Sequence, residues 1–165
     1  MKNCFKHLLA LVVVAISCCL TYGSAAEPVV GSWRLVAWNE VETGSKAVSR
    51  PFGDSPIGML TYSADGHMML LFADPARVPP AAPKPTDAEA VQLYRTMVAY
   101  TGTYSVDADK VTHTIEISWN QAWNGTRQTR FVEIKGDQLT LKSPPFISPF
   151  LGKEIVSTLV WERVK

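Results

Sequence analysis

Apolar and polar residues alternate along most of this chain with the period of a β-strand. Between positions 111 and 117, Val111, His113, Ile115 and Ile117 fall on one face, and Thr112, Thr114 and Glu116 on the other. Runs of this kind predict strands over residues 31–40, 57–63, 66–73, 100–106, 110–118, 126–135, 138–142 and 153–164. Turn formers stand at three of the joints, Ala64-Asp65-Gly66, residues 107–109 and Gly136-Asp137, and predict hairpins there. One region keeps a different period. Thr86 and Glu89 have capping-box spacing ahead of Val91, Tyr94, Met97 and Val98, which share one helical stripe. The Pro-rich residues 75–85 before it read as an extended surface excursion. The pattern as a whole predicts an all-β, antiparallel protein with one short inserted helix, which either closes one end of the sheet structure or acts as a lid.

The first residues carry a different signal. Lys2 and Lys6 precede an apolar run over residues 8–20, followed by Ser24 and Ala26 at signal-peptidase spacing, so residues 1–26 are expected to be a cleaved signal peptide. The run is too short to make a stable membrane span. An alternative processing site lies at Cys18, where lipid would anchor the product. Removing residues 1–26 from the 165-residue chain leaves 139, a single-domain length, as residues 27–165. The three cysteines, Cys4, Cys18 and Cys19, all leave with the leader, so the exported domain is held by its core without disulfides. Its charge is close to balanced, which argues against nucleic acid or an anionic membrane as partner. A periplasmic or secreted monomer is expected.

Candidate chemistry concentrates in VTHTIEISWNQAWNGTRQTR, residues 111–130. His113 lies on the apolar face of its strand. On the returning strand Val132 and Ile134 share parity with Gln128 and Arg130, so a register in which opposed residue numbers sum to an odd value places all of them inside. His113 then stands across from Arg130 or Val132. The competing register turns Arg127, Thr129, Phe131 and Glu133 inward. A buried arginine must be paired, solvated or matched by an anion; Glu154 and Glu162 are possible internal partners. Burial beside that cation disfavours the imidazolium, so His113 is expected to be neutral. Such a histidine serves a ligand, acts as a general base or simply bonds a neighbouring hydroxyl. Trp119 and Trp123 flank a turn and form either a hydrophobic rim for a guest or a cap on the core. His67 reads as solvent-facing, and two histidines without acidic residues at ligand spacing make no zinc site. Neither metal nor cofactor is expected, and phosphate-binding loops and nucleophile elbows are absent from the sequence.

Gly31-Ser32-Trp33, opening the first strand, resembles the lipocalin signature. HTIEISWNQAWNGTRQTR followed by KGDQLTL, together with RPFGDSPIGMLTYSADGHM and the later VSTLVWERV, is similar to the lipocalin-like domain family of bacteria and fungi. The resemblance covers nearly all of residues 31–164. It implies an up-and-down lipocalin-like β-barrel of about eight strands around a central cavity. It also implies a structural plug, in which Arg163 crosses the Trp33 ring at the closed end.

Three functions of different class follow. One is a binding protein that holds a small hydrophobic or amphiphilic molecule, with an acidic group set against His113, Gln128 and Arg130 and with Trp119 and Trp123 at the rim. A second is an isomerase, cyclase or dehydratase in which His113 is the catalytic residue and Arg130 stabilises developing charge. The third is an envelope interaction scaffold with no ligand. The fold does not choose among them.

Overall fold

The structure is a computed structural model that describes residues 28–165; the expected signal peptide, its cleavage after Ala26 and the alternative at Cys18 lie outside the described residues. The elements in chain order are β1 (Gly31–Glu42), β2 (Val48–Ser49), β3 (Ile57–Tyr62), β4 (His67–Ala73), α1 (Asp87–Arg95), β5 (Met97–Asp107), β6 (Lys110–Ser118), β7 (Arg127–Lys135), β8 (Gln138–Lys142), β9 (Phe146–Ile147) and β10 (Glu154–Arg163). Eight of these strands run antiparallel in the order β1-β3-β4-β5-β6-β7-β8-β10, and β1 pairs with β10 to close the barrel. Closure removes the free edges that a sheet of this length would otherwise present. The two-residue strands β2 and β9 attach to β1 and β10; both were unforeseen, since two residues carry no readable period.

The expected strands all form, within a few residues of their expected ends. The helix is shorter than its apolar series. Thr86 caps it, with the reciprocal Glu89 contact in place, but the helix ends at Arg95. Met97 and Val98 belong to β5, where they pair with Ala73 and Phe72. Residues spaced three and four apart fit a helix stripe, yet Val98 and Tyr100 also alternate, and ladder bonds to β4 decide for the strand. No α1 residue is buried, and Val91 and Tyr94 stay well exposed. The helix therefore lies on the barrel without burying an apolar face.

Two irregularities set which side chains point inward. In β1 a register shift between Leu35 and Ala37 changes the parity, so Trp33 and Leu35 are inside, followed by Trp38 and Glu40. In the β5–β6 pair Gly102 faces Ile115 while Thr101 faces Ile117, leaving Glu116 as the extra residue. Gly102 is required there, because a Cβ would lie 2.0 Å from the Thr114 carbonyl oxygen. The same shift overturns the expectation for Ile117, which is 66% exposed instead of continuing the inner face of Val111, His113 and Ile115.

Strands β6 and β7 adopt the odd-sum register, with Gln128, Arg130, Val132 and Ile134 more enclosed than Arg127, Phe131 and Glu133. The residue opposite His113 is nevertheless Gln128, not Arg130 or Val132; Arg130 stands opposite Val111. The connecting loop explains the offset. Gly125, at φ 75°, donates its N–H to the Ile115 carbonyl, and Ile115 donates to the Thr126 carbonyl, which fixes the return strand early. A short 3-10 turn, Gln121–Trp123, fills the loop and is capped by the Asn120 side chain.

At the end of the barrel where β1 begins, Trp33 is fully buried and donates to the Val29 carbonyl at 2.8 Å. The Arg163 guanidinium carbon lies 4.0 Å from the Trp33 ring centroid, and its nitrogens donate to the carbonyls of Val30 and Pro28. Gly31, at φ 132°, lets the guanidinium pass, since a Cβ would come within 2.7 Å of Arg163 Nη1. Around Leu60, Leu139 and Trp161 the barrel is packed with apolar side chains.

Candidate ligand cavity

Above the plug the barrel interior is furnished differently. His113 on β6 is completely buried, and both ring nitrogens are engaged by tyrosines that sequence reasoning had not singled out. Tyr62, at the end of β3, places its hydroxyl 2.6 Å from Nε2, and Tyr100 on β5 places its hydroxyl 2.9 Å from Nδ1. Burial, reinforced by the nearby Arg130 charge, pushes the imidazole pKa down to about 3, so the ring is neutral. Burial also raises both tyrosines above their ordinary range, Tyr62 the further. Three neutral groups thus form one hydrogen-bonded chain. The histidine's surroundings are those of a positioned core group bonded to hydroxyls, with neither nitrogen open to act directly as a base.

Arg130 sits between this chain and solvent. Its Nη1 donates to the Thr129 carbonyl at 2.9 Å and its Nη2 to Gln128 Oε1 at 2.7 Å, so Gln128 serves to hold the guanidinium. Among the described residues no carboxylate pairs with it. The two internal candidates are engaged elsewhere: Glu162 pairs with Arg34, and Glu154 accepts from Thr43. The parity of a strand apolar on both faces could not show that both glutamates point outward.

Trp119 and Trp123 both pack at this end, in an edge-to-face pair with centroids 4.7 Å apart. Trp123 meets the Tyr100 ring edge-on at 6.0 Å. Trp119 lies nearly parallel to Phe150 and donates its indole N–H to the Tyr94 carbonyl, which ties α1 to the mouth of the barrel. Trp119 thus fastens the rim to α1, and Trp123 faces the lumen.

The lumen is bounded by Trp38, Phe72, Val98 and Leu159, with Tyr100, His113 and Arg130 on one wall and Glu40 and Ser157 on another. Phe146, Pro149 and Phe150, from the segment between β8 and β10, lie across its top. About 40 Å³ remains free, room for only a few water molecules. Outside it, between β7 and Ser143–Phe146, runs a cleft of about 350 Å³. Trp123, Arg130 and Phe146 line both spaces and separate them.

Glu40 is the other residue missed from sequence. It is 1% exposed, receives a bond from Ser148 Oγ at 3.3 Å, and burial raises its pKa. Strict alternation from Trp33 turns Glu40 outward, and only the bulge brings it in. The available signal was Trp38, two positions earlier, whose bulk asks for the same inward parity. Among the described residues no group of three or more His, Cys, Asp or Glu side chains could hold a metal ion, and no helix is long and apolar enough to cross a membrane. His67 is exposed beside Asp65.

A closed, eight-stranded, up-and-down barrel, plugged at one end and lined with aromatic and polar groups toward the other, defines the class of small single-cavity β-barrels. The chain belongs to the lipocalin-like domain family, whose sequence profile matches residues 30–164. Its relatives include the 4'-hydroxy-3'-methoxypropiophenone carrier protein ppsC of Aspergillus oryzae, 36% identical over 89 residues, which are 48% of this chain and 78% of the relative. Among solved structures it is similar to a lipocalin-like protein from Bacteroides uniformis, with a TM-score of 0.43 and 12% identity over 82% of this chain and 98% of the other. An uncharacterized protein from Bacteroides eggerthii has a TM-score of 0.39 and 13% identity over 82% of this chain and 99% of the other.

Proposed function

We propose that this protein is an exported carrier that binds a small, largely apolar molecule in the barrel lumen, with an acidic group placed toward Arg130. The observation that carries this reading is the position of Arg130. A half-buried guanidinium without a carboxylate partner among the described residues stands where an aromatic lumen meets an outer cleft. A cation in that setting gains from an incoming anion what an internal ion pair would otherwise supply. The relative named as a carrier of a small aromatic molecule supports the same reading. With about 40 Å³ free, the guest enters by displacing Phe150, which belongs to a connection, and Phe146, which belongs to the two-residue β9 and not to the eight strands of the barrel wall.

Mass spectrometry of the purified, processed protein under native conditions tests this. A co-purifying small molecule released on denaturation is the expected result, together with a monomer beginning near Glu27. A product beginning at Cys18 and carrying acyl chains would replace the soluble carrier by an anchored one. A protein that takes up no aromatic acid at millimolar concentration would leave the scaffold reading. The exposed Ile57, Met59, Met69 and Leu71 on the outer wall of β3 and β4 favour that second reading.

A further inference from the structure

The hydrogen-bond chain through His113 has a direction, and the direction follows from burial. Tyr62 is fully enclosed, and its hydroxyl has one partner among the described residues, His113 Nε2. A buried hydroxyl proton with a single available acceptor is donated to it. Nε2 is then the acceptor of a neutral imidazole, and the ring proton resides on Nδ1. That proton is donated to the Tyr100 hydroxyl oxygen, 2.9 Å away. The Tyr100 O–H is thereby left over. Tyr100, unlike Tyr62, lines the lumen beside Arg130. Its proton and the guanidinium are both donors facing the same space.

Resting on the carrier reading, we propose that Tyr62 and His113 are positioning residues that fix Tyr100 as a donor to the ligand. The lumen accordingly selects aromatic molecules whose inner head group accepts hydrogen bonds without bringing a proton of its own: a ketone, carboxylate or phenolate oxygen. An alcohol at the same place accepts the Tyr100 bond but turns its own hydroxyl proton toward the Arg130 donors, with the acceptors Glu40 and Ser157 on another wall of the lumen. The selectivity is for hydrogen-bond polarity as well as for charge, and Tyr100, not His113, is the residue that touches the guest.

Two measurements on the processed protein test this. Nitrogen-15 NMR of the imidazole at neutral pH is expected to show a protonated Nδ1 and a bare Nε2 for His113. The opposite tautomer overturns the inference, whatever binds. In titrations followed by tryptophan fluorescence, acetophenone is expected to bind about tenfold more tightly than the alcohol formed by reducing it, a neutral pair that removes the charge of Arg130 from the comparison. Tyr100→Phe should abolish that preference. Tyr62→Phe should weaken it and redistribute the His113 tautomers, although Tyr62 never meets the ligand. Benzoate serves as the control for the carrier reading. Benzoate binding with equal affinities for ketone and alcohol overturns the polarity inference and leaves the carrier standing, whereas failure of all three probes overturns the carrier itself.

Discussion

The two ends of this barrel each hold one arginine against aromatic groups, and they use it in opposite ways. Arg163 has one face covered by the Trp33 ring and donates to two backbone carbonyls of the incoming chain. Arg130 donates to Gln128 and to the carbonyl of its own neighbour, and then looks into a lumen shared with Tyr100 and Glu40. The first arrangement is closed and stabilises the fold; the second is open on one side, the side to which the proposed function assigns the guest. What covers the remaining face of each guanidinium, an indole ring for Arg163 and the lumen for Arg130, is what separates the two.

The largest expected effect probes the closed end. Trp33→Ala should destabilise the protein by roughly 3–5 kcal/mol in chemical denaturation, because it empties a site with no solvent access. Arg163→Ala should cost less, about 1–2 kcal/mol, since stacking and two carbonyl bonds are lost without a comparable cavity. If the two substitutions proved equally mild, the end would not be a plug.

Acid probes the middle of the comparison. His113 has its folded pKa lowered from 6.5 to about 3, so the unfolded chain takes up a proton that the folded one refuses. Stability is fully present above about pH 6.5 and falls as pH drops toward 3, with roughly 3 kcal/mol lost by pH 4. Glu40 opposes this. Its raised pKa makes the folded state the better proton acceptor, so its contribution improves as pH falls through its folded value. Unfolding curves of the unaltered protein and His113→Gln across this range should differ most at the neutral end. Identical slopes would contradict the buried neutral imidazole.

At the open end Arg130→Ala is expected to abolish benzoate binding while changing stability by less than about 1 kcal/mol, the range of a half-exposed position without an ion pair. A loss of stability like that of Trp33→Ala would make the two arginines alike and remove the contrast. The smallest effect belongs to Glu40→Gln, which should stabilise the protein near pH 8 by up to about 1 kcal/mol, because a neutral amide replaces a carboxylate that burial disfavours.

What could be read from the residues was whatever a short segment decides for itself. Alternation fixed the eight barrel strands, turn formers fixed hairpins, and Thr86 with Glu89 fixed the start of α1, because each depends on neighbours within a few positions. The inward parity of Gln128 and Arg130 also followed, since Val132 and Ile134 on the same face outweigh Phe131. The tertiary structure decided the rest. Ile117 turned outward and Glu40 turned inward because a bulge costs one residue of parity and is chosen by the partner strand. Met97 and Val98 became strand because β4 offered ladder bonds that no local signal announces. Tyr62 and Tyr100 reached the two nitrogens of His113 from 51 and 13 positions away. Hydrogen-bond partners for a buried polar group are supplied by closure of the barrel, so the sequence could show that His113 needed them and only the fold could show which residues answered.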